Sequence, residues 1–128
     1  MADTEKITIN ISVVDLGQIE LLVSEGFYSS RTDFIRTAIR NQMERHTGEL
    51  KEITKRKTFV IGVLELDRKS LEKHREKGEM LDVNVVGLFQ IKEDVSVNLV
   101  LTTINKVNVH GVIRAAKKIK DALQDMIS

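Results

Sequence analysis

Lys6, Thr8 and Asn10 alternate with Ile7, Ile9 and Ile11 in the stretch KITINIS, Lys6 to Ser12. A period of two places the polar side chains on one face of a strand and the isoleucines on the other. Lys donates from an ammonium, Asn carries a donor and an acceptor on one planar amide, and Thr does either beside a methyl group. These groups suit flat edges with fixed donors and acceptors. Lys matches guanine O6 and N7, Asn matches adenine N6 and N7, and Thr can touch a thymine methyl.

No other set of residues has spacing suited to chemistry. His46, His74 and His110 are widely separated, and cysteine is absent, which excludes disulfides, thiolate metal sites and a cysteine nucleophile. Glu72 and Glu76, or Asp121 and Asp125, lie one helical turn apart, as on any solvated helix. Gly62, Gly87 and Gly111 form no phosphate-cradling motif. The expectation is a protein that is no enzyme, with no metal site and no cofactor.

The elements that must hold the polar row come next. A lone strand leaves a row of unpaired backbone groups and is not stable by itself, and no second strand follows KITINIS nearby. Ser12 and Asp15 have capping-box spacing, so a helix is expected from about Val13, with Leu16, Ile19, Leu22 and Val23 as its stripe and Gly26 as its stop. Ser30 and Asp33 repeat the spacing and predict a second helix from near Arg31. Its apolar face is Phe34, Ile35, Ala38, Ile39 and Met43. Residues 46–57 are polar, end in Lys55, Arg56 and Lys57, and read as a partly helical connector.

From Thr58 the chain repeats itself. FVIGVLELDRKSL, NVVGLFQIKEDV and NVHGVIRAAKKI each place a glycine inside an apolar run, and the glycines stand 25 and 24 residues apart. That length holds one strand and one helix. RKSLEKHREKGE and AAKKIKDALQDMI read as helices. DVSVNLVLTTI is ambiguous, since Val95, Val97, Leu99 and Leu101 alternate as in a strand while Val95 and Leu99 also lie one helical turn apart. Two architectures follow: stacked β-α units on a parallel sheet, which is preferred, or a β-α-β-β-α sandwich with a hairpin at Lys92–Asp94.

The chain has 128 residues, with 20 Lys+Arg against 19 Asp+Glu, so net charge names no partner. No segment approaches the ~18 apolar residues of a membrane span, and Asp3 and Glu5 occupy the place of a signal peptide's basic region. The expected location is the cytoplasm, with no membrane partner.

KITINIS, the Gly26 break and SSRTDFIRTAIR together resemble the ribbon-helix-helix family of DNA-binding regulators, the group of Arc, the methionine repressor and the CopG-type repressors. The likeness covers roughly residues 4 to 46. It implies an α+β chain: an N-terminal ribbon-helix-helix forming an intertwined dimer, then a small C-terminal α/β domain. The expected boundaries are 1–47 for DNA binding and dimerisation, 48–58 for a basic linker, and 59–128 for oligomerisation or sensing. Two KITINIS strands pairing antiparallel would form a two-fold ribbon that fits the major groove. The resemblance assigns base reading to Lys6, Thr8 and Asn10, and phosphate binding to Ser29, Ser30, Arg31 and Thr32 at the start of the second helix. Free N–H groups and the positive dipole end favour a phosphate there. Arg36 and Arg40 read as dimer-surface or solvent residues.

The implied function is a sequence-specific transcriptional repressor bound to double-stranded operator half-sites, an obligate homodimer with a higher oligomer built through the C-terminal part. Residues 1–58 hold nine basic and nine acidic side chains, so one dimer should bind DNA with modest affinity. The layout is similar in outline to the nickel-responsive regulator, but a His-x-His pair and a Cys ligand are missing. Two rival readings are the antitoxin of a toxin–antitoxin pair, whose tail is usually short and disordered, and a self-assembling scaffold that uses the ribbon only to dimerise.

Overall fold

The computed structural model describes residues 3–127, and the chain divides into two compact units, Thr4–Glu52 and the part from Ile53 onward, to which Asp3 also belongs. In the first unit, residues 4–12 lie in no helix and no strand ladder. The strand expected at Lys6–Ser12 therefore has no strand partner among the described residues. Helix α1 (Val13–Ser24) begins at Ser12, whose Oγ accepts the Asp15 N–H at 3.0 Å. It ends in a Schellman motif. The Phe27 N–H donates to the Leu22 carbonyl and the Gly26 N–H to Val23, with Gly26 at φ 86°. Helix α2 spans Arg31–Arg45.

This unit buries almost nothing. Ile19 is its one buried side chain, while Ile7 is 77% and Ile9 68% exposed. Ile35, Ile39 and Met43 form an open stripe on α2 at helical spacing.

Helix α3 (Thr47–Lys57) replaces the partly helical connector by a continuous helix, and Gly48 does not interrupt it. Glu49 in its first turn and Lys55, Arg56 and Lys57 in its last complement the helix dipole.

The second unit is a three-stranded sheet with helices on one face. The elements are β1 (Val60–Leu66), α4 (Arg68–Glu76), β2 (Leu81–Ile91), α5 (Val97–Thr103), β3 (Ile104–Arg114) and α6 (Lys117–Leu123), followed by a short 3-10 turn. The strands lie in the order β1-β2-β3 and all run parallel. The hairpin at Lys92–Asp94 does not form. The ambiguous segment is α5, capped by Ser96, whose Oγ accepts the Leu99 N–H at 3.2 Å. Burial explains the outcome: Val95, Leu99, Val100 and Thr103 are buried at helical spacing, whereas Leu101 is 53% exposed. One strand face would have buried Val95, Val97, Leu99 and Leu101 alike.

Val83, Val85, Phe89 and Ile91 of β2 pack with Leu71, Leu99, Val100, Ile119 and Leu123 from the helices. On the opposite face Ile61 and Val63 stay open. Gly62, Gly87 and Gly111 stand in one register across the sheet.

Asp67 caps the start of α4 in a capping box with Ser70. Its carboxylate accepts the Ser70 N–H at 2.8 Å, and its own N–H donates to Ser70 Oγ at 3.2 Å. The bonds from Ser70 hold the Asp67 carboxyl below its ordinary pKa. A depressed folded-state value means stability that is present above the unfolded-state pKa and lost as pH falls through the folded one. Asp67→Ala is thus expected to lower the melting temperature of this unit at neutral pH. The gap to wild type should close as the pH is taken below the carboxylate range, which thermal melts across pH would read.

Candidate nucleic acid interface

Lys6, Thr8 and Asn10 are exposed and make no hydrogen bond or ion pair among the described residues. In one chain their segment carries an unpaired backbone and an uncovered isoleucine face.

The loop before α2 is held from both sides. Gly26 turns the chain, and Tyr28 packs edge-on against Phe34 with ring centroids 5.0 Å apart. Ser30 is extended, at φ −163°, and its Oγ accepts the Asp33 N–H at 3.0 Å. The Phe34 N–H donates to the Ser30 carbonyl at 3.1 Å, the first bond of the helix. The Arg31 and Thr32 N–H groups therefore precede any acceptor inside the helix and point out of its positive end. Ser29, Ser30, Arg31 and Thr32 do cluster at one helix N-terminus. No hydrogen bond or ion pair links them to the Lys6–Asn10 row among the described residues.

Two acidic side chains share this end: Asp33, which the capping-box spacing already placed beside Ser30, and Glu20, to which the sequence gave no role there. Asp33 reaches past the N-cap and accepts from the Ser29 N–H at 3.0 Å and from its hydroxyl at 3.2 Å. The Ser29–Asp33 spacing of four was the available signal. Glu20 on α1 pairs with Arg31 at 3.5 Å, both being exposed. Nothing in the spacing announced that pair, since it joins two helices. A phosphate here would draw Arg31 away from Glu20 and share the amides with the Asp33 carboxylate.

The three histidines each have a local contact. His46 meets Glu49 at 2.8 Å, His74 meets Glu79 at 3.7 Å, and His110 packs on Phe59 at 5.4 Å between ring centroids. Among the described residues no three His, Cys, Asp or Glu side chains converge to hold a metal ion. No helix of the described residues is long and apolar enough to cross a membrane.

No curated protein and no solved structure matches the chain. The Ribbon-Helix-Helix transcriptional regulator family matches it over residues 2–120, which takes in both units, and the chain belongs to that family.

Proposed function

We propose that the chain is a repressor that reads operator DNA as a two-fold dimer. The observation that carries this reading is the nearly coreless first unit. Regulators of this family bind DNA and dimerise, and Ile7, Ile9 and Ile11 face solvent in one chain together with Ile35, Ile39 and Met43. Two copies pairing antiparallel along Lys6–Ser12 would pair one edge of each strand and cover the isoleucines with the α2 stripes. The same pairing turns Lys6, Thr8 and Asn10 outward, toward the major groove. The amides of Ser29 to Thr32 would then hold a phosphate on either side and fix the register.

Repression follows from occlusion of the promoter by the bound dimer. With acidic and basic groups balanced through residue 58, few phosphates are neutralised per dimer, and binding depends on linking dimers. The C-terminal unit supplies that link through its apolar sheet.

Fluorescence anisotropy on the DNA upstream of the protein's own gene tests the reading at two salt concentrations. Wild type should prefer that DNA over a scrambled duplex. Lys6→Ala/Thr8→Ala/Asn10→Ala should lose the preference by about 100-fold or more, since each good base contact is worth about 1–3 kcal/mol. The three side chains are exposed and make no hydrogen bond or ion pair among the described residues, so circular dichroism should be unchanged. Equal binding by both proteins would remove the polar row from the reading.

A further inference from the structure

Gly62, Gly87 and Gly111 share one row of the sheet and nearly one backbone conformation, with φ of 135°, 135° and 131°. Two of them have a neighbour that requires it. A Cβ on Gly87 would be driven into the carbonyl oxygen of Gly62, and one on Gly111 into the carbonyl oxygen of Gly87. The second and third β-α units each seat their glycine against the carbonyl of the glycine before it. At Gly62 the same backbone faces open space: among the described residues, its chain neighbours aside, no atom lies within 4 Å of where its Cβ would stand. At the other end, among the described residues only the isolated Ile127 bridge at Val107 meets the outer edge of β3, and no fourth strand takes the Gly111 carbonyl.

We propose that a second copy of this chain continues the row, with β3 of one copy pairing parallel to β1 of the next and Gly111 opposite Gly62. This rests on the assembly role proposed above for the C-terminal unit and specifies its contact.

The register carries the proposal further. Aligning Gly111 with Gly62 sets Val112 against Val63, Ile113 against Leu64, and Arg114 against Glu65. Within the chain, Glu65, Gln90 and Arg114 already occupy one row, with the two opposite charges at its ends. Stacking brings those ends together. Glu65 meets Lys92 at 3.5 Å and Arg114 meets Asp3 at 3.4 Å, so the new pair would join existing exposed pairs and need no burial. The β1 edge lacks the usual protection, with no proline and Glu65 as its one charge. On the β3 side an open groove of about 260 Å³ is lined by Val109, Gly111, Ile113, Leu123 and Ile127 among others. Ile127 bridges to Val107, two residues short of the stretch β1 would cover.

A β3-to-β1 contact joins two different surfaces. It does not close on itself as a two-fold pair does, so it generates open chains. An antiparallel β1–β1 pair would form only a dimer and would leave Arg114 outside the contact.

Sedimentation of the full chain over a range of concentrations tests this. Wild type should grow beyond the ribbon dimer as concentration rises. Gly62→Ala should stop at the dimer while its β-α unit stays folded by circular dichroism. Glu65→Arg and Arg114→Glu should each weaken growth about tenfold, from an attractive to a repulsive cross-strand pair. Glu65→Arg/Arg114→Glu should restore it. Growth that none of these variants alters would overturn the stacking contact and leave the assembly role standing. A wild type that stays dimeric at every concentration would overturn both. An effect of Glu65→Arg with none from Arg114→Glu would overturn parallel stacking in favour of the β1–β1 pair.

Discussion

Gly87→Ala is expected to unfold the C-terminal unit, whereas Gly62→Ala should only weaken it. Both glycines sit at φ 135°, a conformation L side chains rarely adopt, and holding alanine there costs on the order of 1–3 kcal/mol. They differ in what a methyl group would meet. At Gly62 it enters open space. At Gly87 it enters the carbonyl of Gly62, with the carbonyl carbon only 3.1 Å away. That obstacle is backbone held in the β1–β2 ladder and cannot swing aside as a side chain would. Overpacking of this kind adds roughly 1–3 kcal/mol or more. The sum, on the order of 4 kcal/mol, approaches the whole stability of a small unit, which lies near the lower end of about 5–15 kcal/mol. Urea melts of the two variants would measure the difference. Equal midpoints for Gly62→Ala and Gly87→Ala would show that φ alone matters and that strands β1 and β2 do not approach so closely.

The glycine row was visible in the sequence as a spacing of 25 and 24 residues, because a repeated backbone conformation needs the same residue each time. The caps at Ser12 and Ser30 were legible for a similar reason: one hydroxyl satisfies one amide three residues on. Segment 95–101 was not decidable, because Val95 and Leu99 fit either period and only burial against α4 and α6 chooses between them. Residues 46–57 looked like a connector because the stretch has little apolar content. It is helical through charges placed at the correct ends, a weaker signal than a stripe. At the candidate interface the cluster at Ser29–Thr32 could be read, but the Glu20–Arg31 pair could not, since it depends on how α1 and α2 approach each other. The Lys6–Ser12 strand shows a further limit. Its periodicity is plain, but a strand is a property of a pair, and its proposed partner belongs to another molecule.

Ile9→Lys puts that last point to the test, because its effect should fall on association and not on the single chain. Ile9 is 68% exposed in one copy, so lysine there disturbs nothing within it, and the melting of the C-terminal unit should match wild type. In the proposed ribbon each Ile9 is covered, and losing it forfeits about 2 kcal/mol of apolar burial. A buried ammonium adds several more unless its stem carries the charge out to water. The two-fold axis counts the change twice. Even with the charge escaping, the dimer should weaken by about 4 kcal/mol, a thousandfold in Kd. Sedimentation should show the smallest stable species falling from dimer to monomer, with operator binding lost in parallel. Thr8→Lys supplies the parity control. It places the same charge one residue away, on the outward face, so the dimer should survive while base preference changes. A dimer that tolerates both substitutions, or that fails with both, would mean that the alternation in KITINIS does not separate a core face from a reading face.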